Sequence, residues 1–142
     1  MDHRIIRCLQ IALAMSVAAG ATAGSAEDLA DVERLYATGT CSNCQLDGLI
    51  LGEGDFSFFV MSGSSLYGAV FLGSNLASAD LSAARLRKAT LRSANLSGAR
   101  LNGADLSGAD LRLAQLDGAD LVGVITDEQT ICPDATHGPC RF

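Results

Sequence analysis

The chain has 142 residues, a formal net charge of −6 and 49% apolar residues. That length and composition describe one small domain, and the acidity argues against nucleic acid or an anionic membrane as partner. No phosphate loop, nucleophile–base pair or calcium repeat is present in the sequence, so it is read as non-enzymatic and without a cofactor.

Residues 1–26 read as a secretory signal. Arg4 and Arg7 form a basic start, an apolar run follows, and small residues suit cleavage after Ala26 or Ala23. The apolar run is interrupted by Gln10, Ser16, Gly20 and Thr22, which makes it too short and too polar for a membrane-spanning helix. Cleavage removes Asp2, Arg4 and Arg7 and takes the net charge from −6 to −7. The expected location is periplasmic or extracellular, with no membrane span left after cleavage. Residues 27–45 are read as an N-terminal cap. Its helix runs over 28–38, with Asp28 as the cap, Gly39 as the stop and Leu29, Val32, Leu35 and Tyr36 on one face.

Residues 46–123 form a repeat. Leucine or phenylalanine recurs every fifth position from Leu66 to Leu121, and from Phe71 onward a small residue stands two places before it: Ser74 once, alanine otherwise. A period of five drifts around an α-helix and flips face on a straight strand. The leucines point inward every time only if the backbone turns a corner within each repeat, which is the mark of a β-solenoid. Gly63, Gly68, Gly73, Gly98, Gly103, Gly108, Gly118 and Gly123 lie two places after the leucine position, where a tight corner needs them.

Units such as Ala79-Asp80-Leu81, Ala94-Asn95-Leu96, Ala104-Asp105-Leu106, Ala109-Asp110-Leu111 and Ala119-Asp120-Leu121 resemble the pentapeptide-repeat family, A-(D/N)-L-x-x. The resemblance covers 64–123 well and extends weakly back to Leu46. It implies an all-β solenoid, a right-handed quadrilateral β-helix of about four coils, each made of four repeats. Phe59 and, more mildly, Leu49 depart from the pattern, being large where the family places a small inward residue, so the first coil is expected to be wider or distorted. Residues 124–142 are read as a disulfide-closed C-terminal cap.

After cleavage four cysteines remain, Cys41, Cys44, Cys132 and Cys140, which in an exported chain suggests two disulfides in one of three pairings. In the implied stack, four coils at strand spacing stand about 20 Å tall. The first two cysteines lie before the stack and the last two after it, too far apart to cross-pair. The implied fold therefore selects Cys41–Cys44 and Cys132–Cys140. A redox role for the Cys41-Ser42-Asn43-Cys44 motif is the less favoured reading, because its second cysteine enters β-coil instead of a helix N-terminus. Cys132, His137 and Cys140 lack a fourth ligand, so no metal is expected.

A twenty-residue coil also aligns surface residues. Asp80, Arg100 and Asp120 should form one column, Arg85 and Asp105 another, and Arg92 should stack on Arg112 with like sign. Arg85, Arg87, Lys88, Arg92, Arg100 and Arg112 belt the middle coils as a solvated basic zone. Ile50, Val70, Leu72 and Leu113 point outward on one face and are the candidate partner site, also open to self-association, unless a terminal segment covers them. Asp105, Asp110 and Asp120 lie on three faces and are repeat residues rather than catalytic carboxylates. The expected function is that of an exported, non-enzymatic interaction or structural module whose protein partner is unknown. The alternatives are a DNA-mimicking gyrase-binding protein, if the chain is cytosolic, and a thiol-redox protein using Cys41 and Cys44.

Overall fold

The computed structural model describes residues 26–142. The expected signal lies outside them except for Ala26, the first residue of the helix. Helix α1 spans Ala26–Thr38, so Asp28 stands inside the first turn instead of capping it. Gly39 ends the helix with φ +68°, and its N–H donates to the Leu35 carbonyl at 2.8 Å, the left-handed stop that glycine adopts without strain. Leu35 and Tyr36 are buried and Val32 packs beside them, but Leu29 is 59% exposed. The buried face is one turn shorter than its spacing predicts, because α1 meets the coils only with its C-terminal part.

Beyond α1 the chain forms a β-helix held by isolated parallel bridges, each joining a residue to the one twenty places on, from Thr40↔Val60 to Asp105↔Ile125. Four columns result. One holds Thr40, Val60, Asp80, Arg100 and Asp120, and the next Gln45, Ser65, Arg85, Asp105 and Ile125. The third holds Ile50, Val70, Thr90, Asp110 and Ile131, and the fourth Asp55, Asn75, Asn95 and Gln115. The Asp110↔Ile131 bridge is one residue longer than the others; segment 126–130 carries the insertion. No long strands form, because each side is interrupted by a corner after a few residues.

The corners explain the sequence period. At each one the N–H of the small residue reaches back to the carbonyl three residues earlier, as Ala99 does to Leu96 at 3.0 Å. The residue before it has positive φ, as in a type II turn. Glycine fills many of these positions, but Glu53, Phe58, Lys88 and Leu113 also hold φ between 57° and 63°, where a side chain costs about 1–2 kcal/mol. The Asp or Asn of each unit fastens its own corner: Asp105 Oδ1 accepts the Ser107 N–H at 3.0 Å and Asn95 Oδ1 the Ser97 N–H at 3.0 Å. This Asx-type bond is the physical reason for the acidic or amide residue in the repeat.

Inside, Leu66, Phe71, Leu76 and every leucine on to Leu111 are fully buried, with alanine between them. Serine replaces alanine at two positions and is satisfied internally: Ser64 Oγ donates to the Cys41 carbonyl and Ser74 Oγ to that of Leu51, both at 2.7 Å. The first coil keeps the twenty-residue register despite its large residues. Volume is traded between side chains instead. A Cβ at Gly54 would lie 2.2 Å from the Phe56 ring, and Phe59 packs edge-on against Phe56 with centroids 5.5 Å apart. Among the described residues no helix is long and apolar enough to cross a membrane.

Candidate functional site

The third column carries the candidate partner face. Ile50 bridges Val70, and Leu72 lies two residues beyond Val70, at the next corner. Ile50 is 45% exposed, Leu72 46% and Leu113 67%, while Val70 is half-buried. Ile50, Val70 and Leu72 thus form one apolar area on the first coils. Leu113 stands apart, two coils higher, with Thr90 and Asp110 continuing the third column above Val70. Tyr67, 45% exposed, stands at the preceding corner, with the Lys88 ammonium 5.7 Å from its ring centroid. Spacing did not point to Tyr67; its place twenty residues below Arg87 and beside Lys88 brings it into the rim.

The basic residues are distributed around the coils rather than gathered. Arg100 pairs with Asp80 at 3.4 Å within the expected column. Arg85 bridges Asp105 along the backbone, but it is Arg87 that approaches the Asp105 carboxylate, at 3.8 Å, because the corner side chain swings over the column above. Arg112 turns onto its own-coil neighbour Asp110 in a two-pronged contact, Nη2 to Oδ2 at 2.6 Å and Nε to Oδ1 at 2.9 Å. This bond, then the Arg112 and Arg92 charges, holds the Asp110 carboxyl below the usual carboxylate range against the opposing effect of burial. At Asp80 burial acts upward, and the Ser82 hydroxyl and N–H with the Arg100 charge outweigh it, so its pKa is also lowered. Asp105, Asp110 and Asp120 each accept the N–H two residues on, which commits all three carboxylates to their corners.

Cys41 and Cys44 form a disulfide with Cα atoms 5.6 Å apart, and both are buried at the junction with α1. Arg34 Nη2 contacts Cys44 Sγ at 2.8 Å and also pairs with Asp31. The Asp31 carboxylate and the two sulfurs lie within 4.8 Å of one another. The sulfurs are bonded to each other, and the guanidinium occupies the place a cation would take, so the group is a structural clasp and not a metal site. Asp31 Oδ2 accepts the Gln45 N–H at 2.8 Å, standing in for the carbonyl of an absent lower coil.

At the other end Cys132 and Cys140 form a disulfide with Cα atoms 5.5 Å apart. His137 bridges Ile131 in antiparallel fashion, and the closed loop leaves a cleft lined by Pro133, Asp134, Pro139, Arg141 and Phe142. Asp127 Oδ1 accepts the N–H groups of Gly108, Gln129 and Thr130 and the Thr130 hydroxyl. These bonds, the Gly108 N–H first, lower its pKa.

The pentapeptide-repeat family profile matches residues 60–92 and 89–125, with eight copies of the repeat. A search of curated protein sequences gives no match. Among solved structures the chain is similar to HetL, a pentapeptide repeat protein involved in heterocyst differentiation regulation from Nostoc sp. strain PCC 7120. Identity to it is 29% over 69% of this chain, with a TM-score of 0.50, and the chain spans 51% of HetL's length. It is 30% identical to alr5209, a pentapeptide repeat protein from Nostoc PCC 7120, covering 80% of this chain and 86% of that one at a TM-score of 0.39. Rfr23 from the cyanobacterium Cyanothece 51142 is 24% identical, with 73% and 98% of the two chains covered and a TM-score of 0.48.

Proposed function

Because the chain belongs to the pentapeptide-repeat family, we propose that it is a non-enzymatic interaction or structural module, exported to the periplasm or beyond, that binds a protein partner through its third column. The scaffold is a right-handed, quadrilateral β-helix of about four coils. The observation that carries the reading is the apolar area of Ile50 and Leu72 on the β-helix face, which is exposed among the described residues. Side chains that resemble catalytic carboxylates are already committed to corner bonds, which supports a binding role.

The test is capture from a periplasmic fraction with the mature protein, repeated with Ile50→Glu and Leu72→Glu. A partner retained by the parent protein and lost from both variants, at unchanged melting temperature, is the expected result. Turnover of a hydrolase or thiol-oxidoreductase substrate that disappears on changing a single polar residue would overturn it. Residues 1–26 fused to a reporter active only outside the cytoplasm test export; a cytosolic result would favour the DNA-mimic alternative.

A further inference from the structure

The face built on the third column is banded along the coil axis. Its first coil places Asp47 and Glu53 at the two corners with Ile50 between them, all three exposed. One coil on, Tyr67, Val70 and Leu72 occupy the corresponding places and carry no charge. One coil further, Arg87, Lys88 and Arg92 stand exposed around Thr90. Backbone bonds make these bands neighbours at both corners. The Gly48 and Glu53 N–H groups donate to the Tyr67 and Leu72 carbonyls at 2.8 and 2.9 Å, and those of Gly68 and Gly73 to Arg87 and Arg92 at 2.9 and 3.0 Å. The face therefore runs acidic, apolar, basic. Arg87 approaches Asp105, and above the basic band Asp110 and Arg112 hold each other. Asp47, Glu53, Lys88 and Arg92 form no ion pair among the described residues. Three of them nevertheless lean on the apolar band. The Lys88 ammonium lies over the Tyr67 ring, Asp47 Oδ1 accepts the Tyr67 N–H at 2.9 Å, and Glu53 Cγ lies beneath Gly73, where a Cβ would come 3.6 Å from it.

We propose that the occupant of this face is a second copy of this chain, laid side by side with its coils running the opposite way. The proposal rests on reading the third column as an interaction surface and names the partner there. A two-fold axis along the apolar band keeps each corner on its own side and inverts the order of the bands. Arg87 and Lys88 of one copy then face Asp47 of the other, and Arg92 faces Glu53. Each pairing occurs twice, and Val70 and Leu72 meet their own counterparts. The contact is isologous and closes at two copies. An axis parallel to the coils would set Lys88 and Arg92 against their like, so charge selects the antiparallel arrangement. An anionic surface would meet Asp47 and Glu53 as well as the cations, and a cationic one would meet Lys88 and Arg92. A partner carrying the bands in reverse order satisfies both, and a second copy turned over is such a partner. Three bands at about 4.8 Å spacing make a small contact, which places the association in the weak, concentration-dependent class.

Sedimentation velocity on the purified protein at low salt, carried to about millimolar concentration to reach weak association, tests this. The parent should show a monomer–dimer equilibrium that added salt weakens. Arg92→Glu and Glu53→Arg, both at exposed corners, should each weaken it by about tenfold at unchanged melting temperature. Mixing the two variants should restore dimers, because each new charge then faces its opposite. The double variant carrying both changes should dimerise by itself for the same reason. Asp117→Arg, at the C-terminal end of the coils, should leave the association unchanged. A protein monomeric at every concentration, a mixture and a double variant that both stay monomeric, or a dimer lost with Asp117→Arg would overturn the proposal. The partner-face reading fails separately. A monomeric chain that still captures a periplasmic protein through Ile50 and Leu72 would keep that reading and sink this one.

Discussion

The two ends of the β-helix meet the same problem, a last coil with no neighbour, and they meet it unequally. At the N-terminal end α1 lies across the core, Asp31 accepts the Gln45 N–H and the Thr38 hydroxyl accepts that of Thr40 at 3.1 Å. At the C-terminal end Asp127 and Thr130 accept the Gly108 N–H, and Leu111 and Leu113 donate to Ile131 and Pro133. There the substitution stops, and the next two sides are bare. A polar side chain can replace one backbone partner of a missing coil, but closing a hydrophobic interior takes an element with an apolar face. Among the described residues a helix lies over one end and a short disulfide-tied loop over part of the other.

The comparison is broken most directly in the core. Leu96→Ala, in a middle coil, should cost about 2–5 kcal/mol through the cavity it leaves, while Leu116→Ala, partly buried in the last coil, should cost about 1 kcal/mol, because less apolar surface is buried there. Urea denaturation of the two variants measures the difference; equal costs would mean that the last coil is covered in solution. Replacing Cys132 and Cys140 by serine should lower stability by about 2–3 kcal/mol on the loop-closure argument and loosen the loop that lies over part of the C-terminal end. Asp31→Ala should cost about 1 kcal/mol by freeing the Gln45 N–H, with the loss read as faster amide exchange at Gln45.

Acid should also weaken the coils. The folded pKa values of Asp80 and Asp110 lie below the ordinary 3.8. Their contribution is thus fully present above that value and lost as pH falls through the lower folded values. Stability should decline below about pH 4, and Arg112→Met should flatten that decline by removing the bond that lowers Asp110. A smaller effect tests the column geometry. Arg100→Asp places three carboxylates in line and should be less stable than Arg100→Ala at low salt by a fraction of a kcal/mol, a gap that added salt closes.

Much of the interior was legible in the sequence. The positions of Leu66 to Leu111 announce their own burial, because a strict period of five with small residues between allows one inward register only. Gly39 as the helix stop was equally readable, from chemistry local to its own turn. The candidate face was legible in part. Ile50, Val70 and Leu72 follow from the repeat, but the separation of Leu113 from them, and the placing of Tyr67 and Lys88 at the rim, depend on which corner side chains swing over which column.

What the sequence by itself determined is therefore what repeats: the inward leucines, the small residues between them, the Asp or Asn of each unit, and membership in a family of such coils. What only the tertiary structure decided lies where the repetition ends. No spacing rule marks Asp31 or Asp127 as the substitute for a missing coil, exposes Leu29 on a helix whose pattern would bury it, or turns Arg87 rather than Arg85 toward Asp105. The physical reason is that a repeat specifies contacts between like neighbours. A terminus has no like neighbour, so its structure depends on which side chains happen to reach the groups left unpaired.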